Sequence, residues 1–99
     1  YGPIGPVLVS PDSFADPDNL GITCDVNGER RQDARTSSLI FDVSFLVSYL
    51  SSVLTLVPGD LIFTGTPAGV GMADGRFLKP GDVVTTSIEG IGTMKNVCQ

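Results

Sequence analysis

The dipeptide Asn27-Gly28 separates two runs of alternating or strand-length character and constrains the fold on both sides of it. Both residues tolerate positive φ, which a type I′ turn demands at its two central positions. Ahead of the turn, Leu20, Ile22, Cys24 and Val26 alternate with Gly21, Thr23 and Asp25, the period of a half-buried strand. Behind it, Glu29-Arg30-Arg31-Gln32-Asp33-Ala34-Arg35 is polar on both faces. The pattern predicts a hairpin over residues 20–26 and 29–35, its second strand at a sheet edge where charge discourages further pairing.

Two further turns share one motif. Pro58-Gly59-Asp60 leads into the apolar run 61–64, and Pro80-Gly81-Asp82 leads into 83–88. Pro at the second and Gly at the third position are what a type II turn requires, so turn chemistry accounts for the likeness without an internal repeat. The run 61–64 is continuous enough to predict a strand buried on both faces. Residues 83–88 and 93–98 predict two more strands, joined by the turn 89–92. Residues 6–10 form a short apolar run ended by Pro11-Asp12, and 13–19 read as a turn-rich connector.

The segment 39–57 is nearly uncharged and about as long as a transmembrane helix. Asp42 lies inside it, and no Lys or Arg flanks it. Val43, Leu46, Val47, Leu50, Val53 and Leu54 fall on one side at helical spacing, and Ser44, Ser48, Ser51 and Thr55 on the other. This predicts an amphipathic helix over 43–54 with Asp42 as N-cap, not a membrane span. The hydroxyl stripe reads equally as a face for close approach or as a solvated one. The expected class is mainly β (α+β), with five or six strands and one helix in a single domain over 1–99.

The 99 residues contain no histidine. This chain alone therefore cannot supply a Ser–His–Asp triad, a Cys–His pair or a His-ligated metal site. With 41% apolar and 17% charged residues it is not a disordered sequence. Its net charge of −5, with no basic cluster beyond Arg30-Arg31, argues against a nucleic-acid surface. Cys24 and Cys98 are too few for a disulfide scaffold and read as free, buried thiols of a reducing cytoplasm, with a single bridge as the alternative. The chain opens Tyr1-Gly2-Pro3, without initiator Met or leader, and reads as a piece of a longer polypeptide.

No tight carboxylate cluster is visible. Asp12, Asp16 and Asp18 lack the Gly and terminal Glu of an EF-hand loop and read as solvated turn formers. Asp60, Asp82 and Glu89 read as turn chemistry, and Lys79 and Lys95 lack a desolvating context. The best place for chemistry is Thr64-Gly65-Thr66-Pro67-Ala68-Gly69-Val70-Gly71. Glycines let backbone N–H groups approach a ligand, and successive N–H groups can form an anion cradle. No Gly-Lys-Ser/Thr follows, so the loop is not a P-loop, and a carboxylate suits it better than a triphosphate. On spacing alone the plain structural loop is the favoured reading and the anion cradle the sharper one.

The sequence then becomes recognisable as a series of blocks. Gly5-Pro6-Val7-Leu8-Val9 is followed by Asp16-Pro17-x-Asn19-Leu20, Val26-Asn27-Gly28-Glu29-x-Arg31-Gln32 and Thr36-Ser37-x-x-Ile40-Phe41. Pro58-Gly59-Asp60-x-Ile62-x-Thr64-Gly65-Thr66-Pro67-x-Gly69-Val70-Gly71, Phe77-Leu78-Lys79-Pro80-Gly81-Asp82 and Ile88-Glu89-Gly90-Ile91-Gly92 complete it. In this order the blocks resemble the C-terminal half of the fumarylacetoacetate hydrolase family catalytic domain, over essentially the whole chain.

The resemblance implies a mixed β-roll or sandwich with few helices, usually a homodimer. It implies a metal-dependent enzyme that cleaves or isomerises 2-oxo or β-dioxo acids. That enzyme would be an acylpyruvate or fumarylacetoacetate-type C–C hydrolase, or a 2-hydroxyhepta-2,4-diene-1,7-dioate isomerase/decarboxylase. Mg²⁺ or Mn²⁺ is expected on a Glu-x-Glu pair and a later Asp, all upstream of Tyr1, as are a Lys and the His–Glu pair of the hydrolases. No catalytic residue or metal ligand is therefore expected within this chain. The family's substrate-contacting Gly-Thr matches Gly65 and Thr66, which would hold the substrate's carboxylate or oxo group. A non-catalytic dimerisation or ligand-binding module is the alternative.

Overall fold

The computed structural model describes residues 2–99. Its centre is one antiparallel sheet in the order β2-β1-β3-β4, built from β1 (Gly21–Val26), β2 (Glu29–Arg35), β3 (Val83–Ile88) and β4 (Gly92–Val97). Helix α1 (Val43–Val53) and a single turn of helix, α2 (Gly71–Asp74), lie in the long β2–β3 connection, and short 3₁₀ turns occupy Pro11–Ser13 and Thr36–Ser38. This is the mainly-β α+β class expected. No helix among the described residues is long and apolar enough to cross a membrane.

The hairpin forms as its turn dictates. Asn27 has φ 52° and Gly28 φ 82°, the positive pair of a type I′ turn. Its register opposes Cys24 to Gln32 and Asp25 to Arg30, leaving Arg31 as the extra residue of a β-bulge. The charged strand β2 is a sheet edge. Asn27 also reaches across the sheet: its Nδ2 donates to Asp82 Oδ1 at 2.8 Å, and its Oδ1 accepts from the Val83 N–H at 2.9 Å. The start of β3 is thus tied to the hairpin turn.

Both Pro-Gly-Asp segments make the same turn. Gly59 and Gly81 take φ 102° and 91°. The Asp60 N–H donates to the Val57 carbonyl at 3.1 Å and the Asp82 N–H to the Lys79 carbonyl at 3.0 Å. Each carboxylate closes the ring by accepting from the opposite end, Asp60 Oδ2 from Val57 N–H and Asp82 Oδ2 from Lys79 N–H, both at 2.8 Å. Hydrogen bonds from Asn27 and the Lys79 amide hold the Asp82 carboxyl below the usual carboxylate range.

Helix α1 starts where Asp42 Oδ1 accepts from the Phe45 N–H at 2.7 Å. Only Leu46 and Leu50 of its apolar side are half-buried. Phe41, Phe45 and Tyr49 instead stack along the helix, with ring centroids 4.7 and 6.4 Å apart. Ser44, Ser48 and Ser51 of the hydroxyl stripe are exposed.

Two strand expectations need correction. Residues 61–64 belong to no sheet, and Phe63 is 82% exposed. A strand buried on both faces needs strands paired at its edges and layers packed on its faces, and no strand among the described residues pairs with this segment. Residues 6–10 are likewise unpaired, with Leu8 91% exposed, so the strands among the described residues number four. The α2 turn is an addition, since no apolar periodicity marks it.

No side chain among the described residues is fully buried. The radius of gyration is 15.0 Å, against about 13 Å for a compact domain of 100 residues. Ile40 at 92% exposure and Phe63 leave apolar surface that this chain does not cover.

Candidate functional site

The loop 64–71 follows the unpaired segment 61–64 and packs against β2 of the hairpin. Gly65 and Gly69 take φ 98° and 105°, which L side chains rarely adopt. Gly69 lies so close to β2 that a Cβ there would overlap the Arg31 carbonyl, and a Cβ at Gly71 would also overlap the Arg76 carbonyl, though less severely. The bulge at Arg31 and the glycine at 69 therefore form one contact between sheet edge and loop. Gln32 locks it: Nε2 donates to Thr66 Oγ1 at 2.8 Å and to the Pro67 carbonyl at 2.7 Å.

Beside this loop opens a cavity of about 510 Å³. It is lined by Ile22 and Ala34 of the hairpin, by Ile40, Phe41 and Leu46, and by the loop residues 64–68. The walls are largely apolar, with a few polar groups at one side, as small-molecule sites usually are. Thr36 and Arg35 also line it but are engaged elsewhere. Thr36 Oγ1 accepts from the Leu20 N–H at 2.8 Å and donates to the Asp18 carbonyl at 2.9 Å. Arg35 Nε donates to Asn19 Oδ1 at 2.6 Å, and its Nη2 pairs with Glu89 Oε2 at 3.0 Å. The two predicted substrate residues, Gly65 and Thr66, thus sit together in the cavity lining, and Thr66 is exposed.

The other candidates fall where turn chemistry puts them, with one exception. Asp16 Oδ1 accepts from the Asp18 N–H at 3.1 Å, and Asp12, Asp16 and Asp18 stay exposed. Glu89 does more than shape a turn: its Oε2 accepts from the Gly21 N–H at 2.8 Å, tying the β3–β4 turn to β1. That backbone hydrogen bond, aided by Arg35, holds the Glu89 carboxyl below its usual 4.5. Cys24 and Cys98 are free and half-buried.

A second, polar cavity of about 500 Å³ lies on the other side of β2, among Glu29, Arg31, Arg76, Lys79 and Asp82. Arg76 pairs with Glu29 at 2.7 Å and with Asp74, whose carboxyl it holds low. These ion pairs neutralise one another and serve the α2 connection.

Among the described residues no three His, Cys, Asp or Glu side chains come together to hold a metal ion. The residues present do not fit a divalent-cation centre.

Gln32 is the residue that sequence reasoning left without a role. Its signals were its place in the block Val26-Asn27-Gly28-Glu29-x-Arg31-Gln32 and its chemistry, one neutral amide in the charged run 29–35.

A family model described as fumarylacetoacetate (FAA) hydrolase C-terminal matches residues 1–99. Oxaloacetate tautomerase FAHD2B, mitochondrial, of Bos taurus is 48% identical over 97% of this chain and 31% of its own length. The fumarylacetoacetate hydrolase of psychrophilic Exiguobacterium antarcticum superposes with a TM-score of 0.91 at 43% identity, covering 98% of this chain and 35% of that one. Maleylpyruvate hydrolase from Sphingobium sp. SYK-6, in complex with manganese(II) ion and pyruvate, superposes with a TM-score of 0.86 at 36% identity, covering 95% and 34%. The chain spans about a third of the length of the curated relatives it matches.

Proposed function

From the premise that this chain belongs to the fumarylacetoacetate hydrolase family, we propose that it is the C-terminal, substrate-positioning part of an enzyme acting on 2-oxo or β-dioxo acids. The reaction is C–C hydrolysis, isomerisation or decarboxylation, with Mg²⁺ or Mn²⁺ held by acids outside this chain. The names of its relatives support the substrate class. One is an oxaloacetate tautomerase, and another, a maleylpyruvate hydrolase, is solved with manganese and pyruvate.

The observation that carries the reading is the loop wall of the apolar-lined cavity. Gly65 and Thr66 bring a flexible backbone and a hydroxyl to the lining of an apolar-walled space of about 510 Å³. In this reading Thr66 donates to the carboxylate or oxo oxygen of the bound acid, and Gly65 lets the backbone come close to it. The apolar walls from Ile22, Ala34 and Leu46 limit water at the ligand and strengthen those polar contacts. Holding the acid in one orientation is the contribution of these residues, since orientation alone lowers the barrier substantially.

The exposed Ile40, Phe41 and Phe63 support a larger assembly, in which the rest of the polypeptide and a second copy cover them as a homodimer. The free thiols Cys24 and Cys98 favour a reducing, cytoplasmic setting.

The test is Thr66→Ala in the full-length protein, assayed with Mg²⁺ or Mn²⁺ on acetylpyruvate and oxaloacetate. KM rises and kcat/KM falls about tenfold while bound metal is unchanged. Kinetics identical to the parent would overturn the reading, and a full-length protein that binds pyruvate without turning over either acid would mark a ligand-binding module instead.

A further inference from the structure

We propose that Gln32 is a positioning residue that fixes the polarity of the Thr66 hydroxyl, so that its proton stays free to be donated to a ligand. The proposal rests on the reading of Thr66 as a ligand contact and adds the group that makes it one.

The argument starts at Pro67. Its carbonyl can only accept, so the side-chain atom of Gln32 that faces it at 2.7 Å is the amide nitrogen. That NH₂ carries a second hydrogen, and Thr66 Oγ1 lies 2.8 Å away from the same nitrogen. Both hydrogens are then used, and Thr66 is the acceptor in this pair. A hydroxyl has one proton and two lone pairs. With a lone pair facing Gln32, the Thr66 proton is directed elsewhere, toward any acceptor in the cavity. A hydroxyl that accepts one hydrogen bond also donates a stronger one. The result is a donor tuned to a carboxylate or oxo oxygen.

The geometry is held rather than incidental. Gln32 is half-buried on β2, opposite Cys24 on β1. The preceding residue is the bulge, whose carbonyl abuts Gly69. Loop and strand are therefore in register at two adjacent points, one of backbone and one of side chain. The neutrality of Gln32 within Glu29-Arg30-Arg31-Gln32-Asp33 gains a reason. A carboxylate at this position would accept only, turn the Thr66 proton toward itself and present lone pairs to an anion.

That reversal is the experiment. The full-length protein, loaded with Mn²⁺, is titrated calorimetrically with pyruvate in the parent, Gln32→Glu, Gln32→Met and Thr66→Val forms. Gln32→Glu preserves size and is expected to weaken pyruvate binding about tenfold near about pH 7.5. The introduced carboxyl would face the Pro67 carbonyl and the Thr66 hydroxyl, with Arg31 and Asp33 beside it on β2 and Cys24 opposite. The loop 64–71 brings no ionisable side chain to it. The Pro67 carbonyl disfavours its charged form, whereas the Thr66 hydroxyl and Arg31 favour it, so it titrates in the range of an ordinary glutamate, about 4.3. Once protonated it donates again, so its deficit relative to the parent shrinks as pH is lowered through about 4.3. Gln32→Met neither donates nor accepts well and loses roughly threefold without that recovery.

Gln32→Glu binding within about twofold of the parent, beside a Thr66→Val form that has lost binding, would overturn the role of Gln32 and leave Thr66 as the contact. A deficit that ignores pH and equals that of Gln32→Met would reduce Gln32 to a packing residue and also overturn it. Thr66→Val binding pyruvate like the parent would remove the contact itself, and the proposal with it.

Discussion

Gln32 and Thr66 are 34 residues apart in the chain and meet through one hydrogen bond of 2.8 Å, from the amide nitrogen of an edge strand to the hydroxyl of a glycine-rich loop. The bond joins the only sheet in the described residues to the loop that lines the apolar cavity. Whatever moves β2 moves the hydroxyl, so changes at this seam have consequences for both stability and ligand binding.

Gly69 is the backbone half of that seam. Gly69→Ala places a methyl group against the Arg31 carbonyl at a φ of 105°. The variant is expected to lose roughly 3 kcal/mol of stability, combining strain and overpacking. Because relief requires the loop to lift, KM for acetylpyruvate should rise as well. Urea denaturation and steady-state kinetics on the full-length protein check the two effects together; a neutral alanine would mean that the loop does not rest on the bulge.

Asn27 separates turn preference from tethering. Asn27→Gly keeps a residue that accepts φ 52° but removes both side-chain bonds to Asp82 and Val83. The expected loss is about 1–2 kcal/mol, read as a shift in denaturation midpoint without a change in slope. A glycine as stable as the parent would assign the residue to the turn alone.

Asp42 acts as a cap and nothing more. Asp42→Ala leaves the Phe45 N–H without its 2.7 Å partner and should cost about 1 kcal/mol, with Asp42→Asn recovering most of it. Leu46 of the same helix lines the cavity, so KM reports whether the helix stays seated; it is expected not to change.

Glu89 sets part of the acid response. Its carboxyl is held below its usual 4.5 by the Gly21 amide and then by Arg35. The unfolded chain takes up the proton first as pH falls. The stabilisation is therefore complete above the ordinary glutamate value and disappears as pH drops through the lowered folded value. Asp74 and Asp82 act in the same direction. Glu89→Gln should flatten the decline of Tm between about pH 5 and about pH 3. An unaltered decline would show that the carboxylate is not coupled to folding.

The features legible in the sequence were those settled by neighbours in the chain. Asn27-Gly28 fixed its own turn, alternation fixed β1, Asp42 announced the start of α1, and Gly59 and Gly81 made the turns that Pro-Gly-Asp calls for. Residues 61–64 read as a buried strand because apolar runs say nothing about where the neighbouring strands are; in the structure Phe63 lies open. Glu89 read as a turn residue although it reaches Gly21, 68 positions away. The loop residues Gly65 and Thr66 were identified through their likeness to a family motif, and the structure puts them in a cavity lining. The partner of Gln32 was out of reach, because its contact exists only once loop 64–71 has packed against the bulge.

The most direct test of the account is a structure of the full-length protein with Mn²⁺ and pyruvate. The account predicts the Thr66 hydroxyl at about 2.7 Å from a pyruvate oxygen, with Gln32 still donating to it. Pyruvate bound in another cleft, with Thr66 turned out to solvent, would contradict it.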